Sequence, residues 1–257
     1  MQHKKDMQMT NDIQPNNVPS AGGSSKPPVS SSTGIKERFT VRSIDNFQCK
    51  EWLLYKHYAK RIPSIEYSFG IYDTDLLIGI CTFGCPPRVM NDGECIFKEY
   101  RVKTLELNRL VINEGLEKNT LSFFVASCLK MLPKPCCVVS YADFTFGHNG
   151  YIYQATNWIY AGLNQIHERQ IFYNGKEVHP RTACSKGFTS ITDWAAKDKN
   201  VTLGEYTKKH RYFQFLGSKK EVSKMKKEFV YEIQPYPKGD NTRYDAGYKT
   251  TVQMPLF

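Results

Sequence analysis

The stretch "TLELNRLVINEGLEKNTLSFFVASCLKMLPKPCCVVSY", residues 104–141, restricts the fold more than any other part of the chain. Its first nine residues alternate partly between apolar and polar and read as a strand. After the polar connection "NEGLEKN", Leu121, Phe124, Val125, Cys128, Leu129 and Leu132 recur at helical spacing until Pro133 stops them, and Asn119 stands where an N-cap belongs. "CCVVSY" then reads as a buried strand. A helix between two apolar strands asks for a sheet with helices laid on it, a mixed α/β architecture rather than a bundle or a sandwich.

The flanking sequence extends that sheet. "RFTVRSI" is a short strand candidate. Residues 45–63 read as a helix with Trp52, Leu53, Tyr55 and Tyr58 on one face and Pro63 at its end. "EYSFGIYDTDLLIGICTFG" reads as a hairpin turning at 73–75. Downstream, "GYIYQATN" is a short helix candidate and "WIYAGL" a strand. "RQIFYNGKEV" is a hairpin around Asn174–Gly175, since Asn-Gly takes up the positive φ angles that a two-residue hairpin turn needs. Residues 1–34, rich in Ser, Pro, Asn and Gly, bury too little to offset their ordering entropy and read as a disordered tail. Residues 35–257 are then one domain.

Charge is unevenly spread. The net charge is +10, and residues 197–227 carry ten Lys or Arg against three acids, with Tyr212, Phe213 and Phe215 interleaved. That mixture suits a phosphate backbone with bases to stack on, and the region 197–257 reads as a basic C-terminal extension. No apolar stretch reaches the roughly 20 residues that span a bilayer, and the first residues lack a secretory signal, so no membrane partner and a cytoplasmic location are expected. The eight cysteines then read as thiols. Cys81 and Cys85 have no second pair at zinc-ligand spacing. Walker, dinucleotide-binding, zincin and serine-hydrolase motifs are all missing from the sequence.

The stretch richest in chemistry follows "CCVV". Residues 140–162, "SYADFTFGHNGYIYQATNWIYAG", leave a core strand and gather Ser140, Tyr141, Asp143, His148 and Tyr153 around Gly147 and Gly150. Ligands of open α/β sheets bind where strand ends meet loops and helix starts, so Asp143, His148 and Tyr153 are expected to border one crevice. A second anion site is conceivable at the helix start, lined by Asn119, Thr120 and Ser122.

Four blocks, "YKHYAKRIP", "LELNRLVINEGLEKNTLSFF", "SYADFTFGHNGYIYQATNWIYAG" and "KKHRYFQFLGSKKE…YPKGDNTRYD", together resemble the phage Mom family of DNA-modification proteins, in order from residue 43 to 245. The resemblance implies a fold like the GCN5-related acetyltransferases. It also implies attachment of an acetamide-type (methylcarbamoyl) group to N6 of adenine in DNA, which shields phage DNA from host restriction. The family's important residues map onto His57, Tyr58, Asp143 and Tyr153 as catalytic candidates. Ser140, Tyr141, His148 and Arg109 are substrate-binding candidates, and Asn119, Thr120 and Ser122 cofactor-binding ones.

Iron is one proposal for such chemistry, and His57 and Asp143 would be its first ligands, with His148 a third. The Gly-rich turn that holds coenzyme A pyrophosphate in acetyltransferases is replaced here by "LEKNTLSF", which argues against an acyl-CoA donor. DNA is the expected partner, and a homodimer is left open. The competing readings are an acyl-CoA-dependent transferase acting on a protein or small amine, and a non-catalytic DNA-binding protein.

Overall fold

In the computed structural model the described residues are 34–239, except 88–89, 91, 145–146, 165–167, 179 and 181. The tail expected over 1–34 therefore lies, but for Gly34, outside the described residues. So does the turn-rich stretch beyond residue 239.

The expected mixed α/β sheet is what the chain forms. A one-turn helix α1 (Ile35–Arg38) leads into β1 (Phe39–Ser43), and the hairpin β2 (Tyr67–Asp73) and β3 (Leu76–Gly84) follows. Next come β4 (Thr104–Ile112), helix α2 (Thr120–Met131), β5 (Cys136–Asp143), helix α3 (Tyr151–Ala155) and β6 (Ile159–Leu163). A second, three-stranded sheet is made by β7 (Glu168–Tyr173), β8 (Lys176–Val178) and β9 (Val201–Thr207), with helices α4 (Thr182–Ser185) and α5 (Ile191–Lys197) between β8 and β9. The chain then returns as β10 (Lys209–Leu216) and ends in helix α6 (Lys219–Glu228). The large sheet has the order β1-β2-β3-β4-β5-β10-β6.

Among the described strands only β4 and β5 pair in parallel, because α2 carries the chain back across the sheet between them. Their pairing covers Thr104–Cys137, Leu105–Val138 and Glu106–Val139 and goes no further, although both strands continue. The two strands part at the centre of the sheet.

Both faces of this sheet are covered, which is why "CCVV" reads as an unbroken apolar run. On one face α2 sets Phe124, Val125, Cys128 and Leu129 against Phe83, Leu105, Leu107, Val138, Tyr153 and Trp158. On the other, Phe97, Val102 and Met225 of the 92–102 connection and α6 cover Cys137, Val139, Phe213 and Phe215. Each such large apolar side chain, fully buried, contributes roughly 1.5–3 kcal/mol. The small sheet has its own core of Ile171, Ala183, Trp194 and Val201. Its hairpin turns at Asn174 (φ 50°) and Gly175 (φ 73°), as the Asn-Gly pair demands.

Three expectations are corrected. The helix expected over 45–63 is a 3-10 turn (Asn46–Cys49) followed by a π-helix (Trp52–Lys56); His57 is extended, and a turn over 57–60 closed by Lys60 N–H donating to His57 O (3.0 Å) follows. Trp52 and Leu53 do pack inward, but Tyr55 is exposed. Asn119 occupies the N-cap position of α2 in a left-handed conformation (φ 71°), and its side chain caps nothing. The basic segment 197–227 is not an extension. It includes β10, a central strand, and Tyr212, Phe213 and Phe215 are buried, so none of the three offers a face to a base. In β10, Lys209 opposes Asp143 and Leu216 opposes Cys136, about 23 Å apart along the strand. α6 begins three residues after Leu216, so its first lysines, Lys219 and Lys220, lie towards the opposite end of the sheet from Asp143.

The outer edge of β6 is covered rather than open. The segment after α6 runs along it, with Gln234 N–H donating to Tyr160 O (3.0 Å), Tyr236 O–H to Trp158 O (2.6 Å) and Tyr151 O–H to Gly239 O. An uncovered edge would invite pairing with other chains. Removing the Tyr236 hydroxyl (Tyr236→Phe) should lower stability by about 1 kcal/mol in urea unfolding, because the Trp158 carbonyl loses its partner.

Candidate active site

β5 ends at Asp143, and a tight turn brings the chain back to it. Gly147 N–H donates to Phe144 O (3.0 Å) and His148 N–H to Asp143 O (3.1 Å), so the acid and the imidazole stand at the two feet of one turn. Gly150 (φ +69°) then starts α3. A Cβ there would lie 2.5 Å from the Tyr212 ring, so the position requires glycine on both counts.

The π-helix delivers its contribution from a different part of the chain. The His57 and Tyr58 rings stack at 4.4 Å, and Tyr58 meets His148 edge-on at 5.8 Å. Arg109, on β4 beyond the point of parting, feels the Tyr58 phenol, Glu106 and Arg61 as charged neighbours. Tyr153 also has Tyr58 and Glu106 among its electrostatic neighbours, and His148 has Asp143. His57, Tyr58, Arg109, Asp143, His148 and Tyr153 thus share one neighbourhood, assembled from the π-helix, β4, β5 and α3. Glu106 and Arg61 belong to it too and were missed. Strict alternation would set Glu106 and Arg109 on opposite faces of β4; the register shift at Asn108 changes that, and no local pattern in the sequence marks it.

Burial sets the chemistry. It pushes the His57 imidazole down to about 3, assisted by the charges of Arg109 and His148. His57 Nδ1 accepts the Ala59 N–H (3.0 Å), which puts the single ring proton on Nε2. His148 is also held below its ordinary value by burial, against the opposing pull of Asp143. Burial lowers the Arg109 guanidinium, whose Nε–H is buried with no hydrogen-bond partner while NH1 donates to Asn108 O (2.6 Å). An unpaired guanidinium donor in a polar pocket is a ready partner for a ligand oxygen.

Where β4 and β5 part, Ser140 bridges them. Its Oγ lies 2.8 Å from the Leu107 carbonyl and 2.7 Å from the Tyr153 hydroxyl. The carbonyl only accepts, so the Ser140 proton goes to Leu107 and the Tyr153 O–H donates to Ser140 Oγ. Tyr153 is buried against Trp158 and Tyr212 (ring centroids 5.1 Å from each), and burial raises its hydroxyl well above the ordinary phenol range. The phenol stays neutral. Tyr141 is less involved: its hydroxyl reaches Met90 Sδ (3.4 Å), in the core on the α6 side.

The iron set raised by the sequence does not fit these residues. Among the described residues no three His, Cys, Asp or Glu side chains are grouped to hold a metal ion, and His57 Nδ1 is occupied by Ala59. The set His57, Asp143 and His148 is therefore not an iron site here. Asn119 and Ser122 line a separate groove of about 600 Å³ along α2, with Lys36, Lys130 and Lys134. Thr120 is buried beside them, and its Oγ1 has no hydrogen-bond partner.

A mixed sheet whose central parallel pair parts over a pocket of acid, imidazoles, phenol and guanidinium defines a group-transferring α/β protein. The chain belongs to the Mom protein family, whose family model matches residues 38–238. A curated relative, the methylcarbamoylase mom of Escherichia phage Mu, is 25% identical over 214 residues, covering 80% of this chain and 86% of its own. Similar solved structures include Arabidopsis thaliana Naa50 in complex with a bisubstrate analogue (TM-score 0.40, 7% identity, 70% of this chain and 99% of that one). A GNAT family acetyltransferase from Elizabethkingia anophelis with acetyl-CoA bound gives TM-score 0.36 at 9% identity, over 70% and 99% of the two chains. These acetyltransferases are too distant for their function to follow.

The depressed His57 value has a measurable sign. The folded protein keeps His57 neutral down to about pH 3, whereas the unfolded chain takes up that proton below about 6.5. Unfolding is therefore favoured as the pH falls from about 6.5 towards 3, and the effect is absent above that window. His57→Gln should flatten that part of the decline in urea midpoint, and the His57 Cε1–H resonance should not titrate between about pH 7 and about pH 4.

Proposed function

We propose that this chain modifies DNA in the cytoplasm of the host cell, attaching an acetamide-type (methylcarbamoyl) group to N6 of adenine and so shielding phage DNA from restriction. The reading is carried by one observation. A member of the Mom family, with a relative named as a methylcarbamoylase, gathers Asp143, both imidazoles, Tyr58 and a guanidinium with a spare donor where β4 and β5 part.

The N6 amine is a poor nucleophile because its lone pair is delocalised into the purine, and in a duplex it is stacked and paired. Extruding the base costs a few kcal/mol. Tyr58, already stacked with His57, offers a ring for the extruded purine to rest on. Asp143 takes the N6 proton as the N6–carbon bond forms, while the leaving group departs from the donor carbon with the bonding pair. The Arg109 Nε–H holds the acetamide oxygen. Neutral His57 presents its Nε2–H as a donor, and Tyr153 fixes the wall through Ser140. All of these groups come from one chain, so a homodimer would add a second pocket without completing the first. Lys209, opposite Asp143, and Lys208, bonded to Phe144, would meet the phosphates.

Expression in a bacterium, followed by nucleoside mass spectrometry, should reveal a heavier deoxyadenosine. Asp143→Asn should reduce it by about 10²-fold or more while leaving DNA binding in place, which separates an enzyme from a passive DNA-binding protein. Finding only ordinary nucleosides with the native chain well expressed would overturn the reading. Salt dependence tests the orientation. Lys208→Ala should lower the slope of log binding against log salt by about 1, whereas Lys220→Ala, at the start of α6 towards the far end of the sheet, should leave it unchanged.

A further inference from the structure

The turn between Asp143 and His148 carries a large apolar side chain that the chemistry above does not use. Phe144 is 55% exposed, immediately after the acid. It is nonetheless firmly mounted. Its N–H donates to Lys208 O (3.1 Å), its carbonyl accepts from Gly147 N–H, and its ring meets His210 edge-on at 5.7 Å. His210 is itself buried and bonded through Nδ1 to the Tyr160 hydroxyl (2.8 Å).

Exposed apolar side chains are common singly, so exposure alone says little. The company of this one is more specific. The feet of its turn are Asp143 and His148, and His148 touches Tyr58. The strand beside it carries Lys208 and Lys209. Among the other exposed aromatics, Tyr151, Tyr206 and Phe47 are committed or placed elsewhere. The Tyr151 hydroxyl is bonded to Gly239 O, Tyr206 has Arg169 over its ring at 5.2 Å, and Phe47 belongs to the Asn46–Cys49 turn.

A base drawn out of a duplex leaves a gap, and the helix recloses on it unless something fills the space. Proteins that unstack DNA do so with rigid apolar side chains pushed between base steps, flanked by cations on the phosphates. We propose that Phe144 is that wedge: it enters the stack at the place the adenine leaves, while Asp143 and His148, on the same turn, receive the base. The proposal rests on the DNA-modifying reading above and adds how the duplex is held open.

The test compares two duplexes built on a site mapped in modified DNA, one with the target adenine paired to thymine and one with it facing an abasic site. Phe144→Ala should lower the ratio of paired to abasic-opposed modification rates at least tenfold, and Phe144→Leu should restore most of it. In a second arm, duplexes carrying 2-aminopurine in all nearest-neighbour contexts are titrated with protein. Native protein should brighten the fluorescence of the extruded base, and Phe144→Ala should lose most of that rise at equal occupancy. This arm involves no group transfer, so it reads the wedge even where the modification assay fails. An unchanged ratio, an equal loss on both duplexes, or undiminished fluorescence in Phe144→Ala would overturn the proposal.

Discussion

Much of this molecule follows from two parallel strands that stay paired for only three residue pairs. β4 and β5 are zipped at Thr104–Glu106 and Cys137–Val139 and then separate, and a sheet that separates at its centre must satisfy the freed backbone groups or lose stability. Ser140 satisfies one of them by bonding Leu107, and it orients Tyr153 in the same act. The parting also makes room for Arg109, Asp143 and the His57–Tyr58 pair. The pocket is thus a local failure of strand pairing lined with side chains that tolerate it.

That origin explains the electrostatics. The side chains gathered where the strands part are buried or half-buried, so charge on them is costly. His57 responds by remaining neutral, and Arg109 keeps its charge under strain, with a buried donor unsatisfied. Neutral donors and one desolvated cation are an environment in which hydrogen bonds to a bound polar group gain more than they would in water.

The legible parts of the fold were those with a strong period or a strong turn signal. The helical spacing of 120–131, the apolar run 136–139 and the Asn174–Gly175 turn were all readable, because local preference and tertiary role agree there. The π-helix at 52–56 was not, since Trp52 and Leu53 mimic a helical face while the chain leaves the helix at His57 and turns at 57–60. Charge misled most. Tyr212, Phe213 and Phe215 look like stacking platforms between cations, yet in a strand buried on both faces the same alternation is core packing. The grouping of Asp143, His148 and Tyr153 was legible from position at a strand end. The arrival of Glu106 and Arg61 depends on the neighbouring strand and the π-helix, a long-range matter that no local pattern records.

The place of β10 has a consequence for synthesis. It lies between β5 and β6 in space but follows both in the chain, after the small sheet has been made. A nascent polypeptide that ends before residue 209 therefore has an unpaired edge on β5, and Asp143 lacks the neighbour that aligns it. Such edges are prone to association with other chains. Truncated products would be inert and sticky, and competence would arrive late in translation, when β10 slides into the vacant lane.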